Sequence, residues 1–325
     1  MNTVFLSAAI SLMAGLITAP VLIPFLRRLK FGQSIREEGP SWHQKKSGTP
    51  TMGGIAIIIS CILASIVIMK VSFSAVGTDM LILTASAFLF GIVGFIDDFI
   101  KVVMKRNLGL SAKAKFLMQL FVSILSTVAL LYTGAINGEL ILPICKETVN
   151  IGLFIVPLII IVQLSVVNSA NLTDGLDGLA ASVTLVISIF LTICGVLMGK
   201  IVVAIFMAAL SGALIAFLFF NWNPAKVFMG DTGSLFLGGA VALSAVMLKM
   251  PIILIIICGV YLMETLSVII QVVSFKTTGK RVFKMSPLHH HFEMCGYKEK
   301  KIVFMFSGAT LILCLIGYLC IMNFC

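Results

Sequence analysis

Long runs of apolar residues recur along the whole chain and constrain its fold more than any other feature. Runs of about 20 apolar residues can cross a bilayer as helices, whereas barrel strands are shorter and alternate in polarity. Only 11% of the 325 residues are charged, against roughly 25% in soluble domains. The sequence therefore predicts an all-α polytopic membrane protein, with one integral membrane domain over 1–325. We expect ten transmembrane helices, at roughly 3–26, 52–69, 80–100, 112–132, 151–170, 176–197, 201–220, 234–248, 251–275 and 302–323.

The basic residues predict the orientation of these helices. The first run has no Lys or Arg before it and "RRLK" after it, the reverse of a cleaved signal peptide, so we expect a retained helix with its N-terminus outside. Both termini then lie outside, and the segments expected to face the cytoplasm hold 19 of the 23 Lys and Arg residues. These segments are 27–51, 101–115, 221–233 and 276–301. The net charge of +10 reflects this topology, so we do not expect nucleic-acid binding.

Two other features complete the outline of the chain. The loop 134–150 is the long external one, and its strand-like pieces predict a small hairpin. The eight cysteines include no CxxC pair and lie mostly in apolar runs, where Cys behaves as a small hydrophobe. A disulfide framework is therefore not expected.

Two adjacent carboxylates, Asp97 and Asp98, end the third apolar run in "GFIDDFIKV", 94–102. Lys101 lies three and four residues further on, so both acids can approach its ammonium group on a helix. A charged helix end that only reaches the interface is the alternative interpretation. However, adjacent acids repel each other unless a cation compensates them. The pair therefore indicates a functional site at the cytoplasmic helix end.

A second cluster, "NSANLTDGLDGLA" at 168–180, follows the fifth apolar run. Asn171, Asp174 and Asp177 recur at every third residue, so they could share one helical stripe. The neighbouring glycines leave the backbone open to a ligand. Helix capping is the structural alternative, but it would explain only one of the three residues.

A third cluster, "NWNPAKVFMGDTGSLFLGG", spans 221–239. Asp231 could cap the helix that follows, which is a structural alternative for this residue alone. Asn221, Lys226 and Phe228 crowd the same short loop. A Phe beside amides and an acid suits stacking on a nucleobase.

Histidines and lysines occur in the two longest cytoplasmic segments. "SPLHHHFE" contains His289, His290 and His291, which could bind metal, act as acid or base, or pair with phosphate. A zinc site with Cys295 is an alternative. "HQKKSGTPTMGG", 43–54, carries Lys46 and Thr51 and ends in a glycine pair at a helix start, where free amide groups bind anions. No GxxxxGK[ST] or GxGxxG motif occurs, so basic side chains and a metal would hold phosphates.

The charge of these clusters predicts both a cofactor and a class of substrate. Several acids at one membrane face require a counter-cation, and hard carboxylate oxygens suit Mg²⁺. A soluble substrate with a phosphate or pyrophosphate that meets a lipid phosphate would explain both the chemistry and its position in the membrane.

The chain resembles the polyprenyl-phosphate N-acetylhexosamine-1-phosphate transferase superfamily over almost its whole length. Its polar motifs follow one another in the same order as those of the superfamily. "TPTMGG" and "HHHFE" resemble its phospho-N-acetylmuramoyl-pentapeptide-transferase branch. The resemblance implies a Mg²⁺-dependent enzyme of the bacterial inner membrane, often a homodimer, with a cytoplasmic-facing site. The implied reaction, in peptidoglycan synthesis, moves phospho-N-acetylmuramoyl-pentapeptide from the UDP-sugar to undecaprenyl phosphate, giving lipid I and UMP. A transferase for UDP-N-acetylglucosamine is the alternative within this class.

The resemblance also implies roles for individual residues. The implied principal Mg²⁺ ligand is Asp231, surrounded by Asp97, Asp98 and Asp174. The implied uridine pocket consists of Asp177, Asn221 and Phe228. Further essential polar positions are implied at Lys46, Thr51, Lys101, Lys113 and His290. We also expect substrate contacts from Asn171, His289 and His291.

Two mechanisms are open for such a transfer. Either Asp97 or Asp98 removes the proton of the lipid phosphate, which attacks the β-phosphate directly, or an aspartate attacks first and forms a phospho-enzyme. We favour direct attack, because a lipid phosphate has a second pKa of about 6 and only a weak base is needed to remove its proton. Phosphoryl transfer also depends mainly on positioning and charge neutralisation.

Two functions from other classes fit the sequence less well. A transporter would place its acids near mid-span, often within inverted repeats. An intramembrane aspartyl protease would need two acids in facing spans, and it would leave the histidines and lysines without a role.

Overall fold

The computed structural model describes residues 1–29, 48–104, 109–143 and 147–324. Within these residues, ten helices are long and apolar enough to cross a membrane, which confirms the predicted all-α polytopic class. Two further helices are short, α9 and α11. In chain order the helices are α1 (Asn2–Arg28), α2 (Gly54–Ser72), α3 (Gly77–Val102), α4 (Ala112–Tyr132), α5 (Ile155–Thr173), α6 (Leu179–Leu197), α7 (Ile201–Asn221), α8 (Gly230–Met247), α9 (Leu254–Ile257), α10 (Gly259–Thr278), α11 (Leu288–Met294) and α12 (Glu299–Ile321).

Helices α2 and α3 are the two halves of one helical stretch, Gly54–Val103, which departs from helical geometry at Ser72 and Gly77. The Thr84 hydroxyl of α3 donates to the Ser65 hydroxyl of α2 at 3.2 Å, although the two residues lie 19 positions apart. The halves therefore run antiparallel and form two separate crossings, as the two apolar runs predict.

The loop between α4 and α5 contains the small hairpin that the sequence predicts. Strand β1 (Glu139–Leu142) pairs antiparallel with β2 (Glu147–Asn150). Lys249 forms an ion pair with Glu139, and the Lys249 carbonyl accepts from the Ile141 backbone N–H at 2.8 Å. The hairpin is thus tied to the segment that follows α8.

The structure differs from the prediction in two places near the C-terminus. The apolar run 251–275 is not one helix, because its helical geometry is interrupted at Cys258, between α9 and α10. At this break, a Cβ added to Gly259 would lie 2.8 Å from the Leu313 side chain of α12, so the close approach of α12 favours glycine there. The segment 276–301 also contains the short helix α11, which its polar composition does not predict.

Helix α8 lies at the centre of the bundle. Its most apolar window is 89% buried, compared with 28% for α1, although α8 and α10 have the lowest mean hydropathy values of the ten spans, 1.2 and 1.3. Its sequence, "GDTGSLFLGGAVALSAVM", is rich in small residues. Small residues let helix backbones approach closely in a membrane, where apolar side chains gain little by leaving lipid. The least apolar of the ten spans, α8, is therefore the most buried, because close packing places it inside.

Gly94 of α3 illustrates this close packing at the start of α8. A Cβ added to Gly94 would lie 2.1 Å from the backbone oxygen of Asp231. Because Asp97 and Asp98 follow within about one helical turn of Gly94, this approach brings their end of α3 against the start of α8.

We predict that Gly94→Ala destabilises the protein by about 1–3 kcal/mol, the usual cost of forcing an extra methyl group into a packed core. The measurement is the apparent midpoint of thermal unfolding in detergent. Gly308→Ala on α12 is the matched control, since an added Cβ there meets nothing within 4 Å. Equal midpoints for wild type and Gly94→Ala would contradict the close α3–α8 approach.

Candidate active site

Asp231, in the first turn of α8, is the centre of a polar cluster where α3, α4, α5 and α8 meet. Its Oδ2 lies 2.7 Å from Lys101 Nζ and 2.8 Å from Lys115 Nζ. Its Oδ1 accepts a hydrogen bond from Asn171 Nδ2 at 2.8 Å. One carboxylate therefore holds together three helix ends besides its own.

Asp97 faces this cluster and is buried. Its Oδ2 lies 2.6 Å from Lys101 Nζ and 3.6 Å from Lys115 Nζ, and its Oδ1 accepts from the Leu110 backbone N–H at 2.7 Å. Lys101 therefore bridges Asp97 and Asp231, as the spacing of Asp97 and Lys101 on a helix predicts.

Asp98 has a different environment from its neighbour. Its Oδ1 accepts from the Asp231 backbone N–H at 3.2 Å, and its Oδ2 accepts from the Thr232 N–H and hydroxyl at 2.9 and 2.7 Å. Free N–H groups at a helix start need acceptors. Asp98 therefore caps α8 from α3, and the alternative that Asp231 caps this helix is not what the structure shows.

Asp174 follows the last residue of α5 and lies close to the same cluster. Burial raises the pKa of Asp174 to about 8, and the charges of Asp231, Asp98 and Asp177 add to that rise. A hydrogen bond from the Gly230 backbone opposes the rise. A cation bound beside this carboxyl group would favour its ionised form.

Thr51 is buried beside the turn that begins α8. A Cβ added to Gly230 would lie 2.8 Å from Thr51 Oγ1 and 2.6 Å from Asp98 Oδ2, and Gly230 has a φ of +75°. Glycine tolerates both the positive φ and the crowding. The predicted residue Lys46, in the segment just before, lies outside the described residues.

Lys115, rather than the predicted Lys113, reaches the cluster from α4. Lys113 is exposed, whereas Lys115 contacts Asp231 and lies within 3.5 Å of Asn171 Oδ1. Residues two apart on a helix point in nearly opposite directions. A sequence signal could have separated the two lysines, because Lys115 begins a polar stripe that continues at every fourth residue with Gln119 and Ser123.

The three residues of the expected uridine pocket lie in adjoining loops. Asp177 Oδ2 accepts from the Asn223 side chain at 3.1 Å and from the Ala225 backbone at 3.0 Å. The Asn221 side chain accepts from Gly178 N and donates to Val227 O. Both polar side chains thus connect the loop after α5 to the loop after α7. Phe228, the third residue of this expected pocket, is partly exposed.

The three consecutive histidines have three different surroundings. His289 is fully buried and pairs with Glu264 of α10, while His290 Nδ1 lies 2.7 Å from Glu293 Oε2. His291 Nδ1 accepts from a backbone N–H, and its Nε2 lies 3.8 Å from Cys295 Sγ. Among the residues described, no three His, Cys, Asp or Glu side chains form a ready metal site, so the zinc alternative gains no support. Sequence reasoning missed Glu264 and Glu293.

The cluster as a whole carries excess negative charge. When all four carboxyl groups are ionised, the ammonium groups of Lys101 and Lys115 leave two negative charges uncompensated. Oxygen ligands and an excess of two charges match a hard divalent cation. The residues that fit such an ion are Asp231, whose partners are side chains that can move, and Asp174. Asp98 fits less well, because its oxygens accept from backbone N–H groups at the start of α8.

Comparison with known proteins agrees with this arrangement. Residues 80–249 match the model of glycosyl transferase family 4, and residues 46–58 match phospho-N-acetylmuramoyl-pentapeptide-transferase signature 1. A phospho-N-acetylmuramoyl-pentapeptide-transferase of Clostridium botulinum is 49% identical over 322 residues, which cover 98% of this chain and 97% of that relative. The enzyme of the same name from Halalkalibacterium halodurans is 51% identical, with 97% of each chain covered. That from Bacillus cytotoxicus is 48% identical over 96% of this chain and 95% of its own.

The family model covers the helices that carry the acidic cluster, and the signature covers the segment around Thr51 that contacts the start of α8. The relatives align over nearly their full length, so the match is not confined to the polar motifs. The chain therefore belongs to the phospho-N-acetylmuramoyl-pentapeptide-transferase family, within glycosyl transferase family 4.

Proposed function

We propose that this protein transfers phospho-N-acetylmuramoyl-pentapeptide from its UDP-sugar to undecaprenyl phosphate, in a Mg²⁺-dependent reaction that yields lipid I and UMP. The single observation that carries the proposal is the cluster of four carboxylates and two lysines at the ends of α3, α4, α5 and α8. Membership of the family supplies the identity of the two substrates.

The position of the cluster matches the position of a lipid phosphate. Asp97 and Asp98 end a membrane-crossing helix, and Asp231 begins another. A polyprenyl tail stays in hydrocarbon, so its phosphate must be met at the boundary. The distribution of Lys and Arg in the sequence supports a cytoplasmic location for this boundary, with both termini outside.

The geometry supports different roles for the adjacent aspartates. Asp98 holds the start of α8 in place, so its role is to position Asp231. Asp97 shares Lys101 with Asp231, and we assign it the contact with the lipid phosphate. This assignment keeps the direct-attack mechanism, in which Asp97 accepts a proton and no bond to an aspartate forms.

Asp231 and Asp174 would hold the metal, with phosphate oxygens and water as the remaining ligands. When bound, Mg²⁺ supplies neutralisation of the charge on the transferred phosphoryl group. Lys101 and Lys115 bind phosphate oxygens from the side of α3 and α4, and they also limit the repulsion among the acids. Asn171 orients the Asp231 carboxylate through Oδ1.

The nucleotide would lie against the loops after α5 and α7. The partly exposed ring of Phe228 is available to stack on uracil, which is worth roughly 1–3 kcal/mol for aromatic side chains on bases. Asp177 and Asn221 shape this pocket by joining the two loops. We assign His290, whose Nδ1 contacts Glu293, to phosphate binding. A role for His291 and the homodimer remain predictions.

The first prediction is that purified protein releases UMP from UDP-N-acetylmuramoyl-pentapeptide only when undecaprenyl phosphate and Mg²⁺ are both present. EDTA abolishes the release, and added Mg²⁺ restores it. In membrane vesicles, the impermeant UDP-sugar is consumed only when the cytoplasmic face points outward. UDP-N-acetylglucosamine is the control substrate, and equal turnover of the two sugars would contradict the muramoyl assignment.

A second prediction separates the two lysines of α4. Lys115→Met removes one of the two ammonium groups that contact Asp231, so we expect kcat/KM to fall by about 100-fold, or about 2.7 kcal/mol of transition-state stabilisation. Lys113→Met, the matched control two residues away, removes an exposed charge and leaves kcat/KM within about twofold. If Lys113→Met lowered kcat/KM more than Lys115→Met did, Lys113 rather than Lys115 would belong to the site.

A further inference from the structure

A buried carboxylate and a buried imidazole form a pair beside the proposed active site. Glu264 of α10 and His289 of α11 both have no exposed surface. His289 Nδ1 lies 3.1 Å from Glu264 Oε1, and the His289 backbone N–H donates to Oε2 at 3.4 Å. Burial of a carboxylate is costly without partners, and both oxygens of Glu264 are directed at one residue.

The other ring nitrogen of His289 points at the loop that carries Asp174. A Cβ added to Gly175 would lie 2.1 Å from His289 Nε2 and 2.6 Å from Cε1, so only glycine leaves room for the ring. Nε2 is buried and has no hydrogen-bond partner within the described part of the chain. Buried polar atoms are nearly always paired, so this nitrogen calls for a partner that the protein itself does not supply.

The pairing decides which nitrogen is free. A carboxylate at Nδ1 keeps a proton on that nitrogen and fixes the ring orientation, as it does in other carboxylate–histidine pairs. Nε2 is then the nitrogen left to bind a ligand, in either protonation state of the ring. The ring centroids of His289 and His290 lie 4.2 Å apart, so the same ring also packs against the next histidine of the segment.

We propose that Glu264 is a positioning residue, which holds His289 so that Nε2 meets a polar group of the UDP-sugar beside Gly175. The proposal rests on the proposed function for the identity of that ligand. Glu264 itself touches no substrate and acts only through His289.

A double-mutant cycle with Glu264→Met and His289→Ala tests this role. Methionine fills the space of glutamate but offers no carboxylate to Nδ1. We expect each single variant to raise the KM for the UDP-sugar by ~10-fold or more, the effect of losing one hydrogen bond in a buried site, while the KM for undecaprenyl phosphate stays within about twofold. The double variant should be no worse than His289→Ala. Glu264→Gln, which keeps an acceptor for Nδ1–H, should restore most of the affinity.

A substitution that only damages the fold changes the two KM values differently from one that only misplaces His289. Thr265→Val is the matched control, because Thr265 lies on the same helix as Glu264. The substitution removes its hydrogen bond to Ser169 of α5 and should leave both KM values unchanged. The proposal is overturned if Glu264→Met keeps the wild-type KM for the UDP-sugar, if it changes both KM values equally, or if the two substitutions are additive. Glu264→Ala replaces Glu264→Met in the cycle if the latter does not fold. Failure of the wild type to turn over the UDP-sugar at all would instead reject the proposed function.

Discussion

The close contact between the end of α3 and the start of α8 is the constraint on which the site depends. Gly94 has no side chain where the Asp231 backbone passes, and one turn later the Asp98 carboxylate accepts hydrogen bonds from the first N–H groups of α8. Because Gly94 has no Cβ, the backbones of α3 and α8 can approach closely. If Asp98 were removed, the first N–H groups of α8 would be buried without hydrogen-bond acceptors. Together they place Asp231 between two lysines that belong to different helices.

Electrostatics then explains why such an acidic cluster is tolerated at a membrane boundary. Lys101 and Lys115 offset part of the repulsion, and Asn171 occupies the other oxygen of Asp231. Burial raises the pKa of Asp174 to about 8, and the charges of the neighbouring carboxylates add to that rise. A site that is short of positive charge favours both a divalent cation and proton uptake, and we propose that the phosphates of the two substrates enter together with that cation. In this account the acids bind phosphate indirectly, through metal and lysine, while Glu264 and His289 shape the pocket from α10 and α11.

Much of this arrangement follows from the sequence, and the exceptions have physical causes. Hydropathy predicts ten crossings because a helix that crosses a membrane needs only a long enough run of apolar residues. The grouping of polar motifs at helix ends predicts one shared site. Hydropathy does not predict that α8 is central, since its burial depends on small residues. The sequence predicts one helix at 251–275, because a continuous apolar run does not reveal the break at Cys258. The family resemblance implies Lys113, but the helix face decides which lysine reaches Asp231, and that face carries Lys115. Glu264 belongs to no motif, because it is an isolated acid in an apolar helix. The roles of the individual site residues stay predictions.

We propose that the uncompensated charge of the cluster binds one divalent cation through Asp231. Mn²⁺, a paramagnetic substitute for Mg²⁺, can be titrated into the purified protein with UDP-N-acetylmuramoyl-pentapeptide and followed by electron paramagnetic resonance. Asp79→Asn serves as the control, since it makes the same change of charge at the opposite end of α3 from Asp97. We expect about one bound Mn²⁺ per chain in the wild type and the control, and loss of this binding in Asp231→Asn with the fold intact. Equal Mn²⁺ binding by wild type and Asp231→Asn would contradict it.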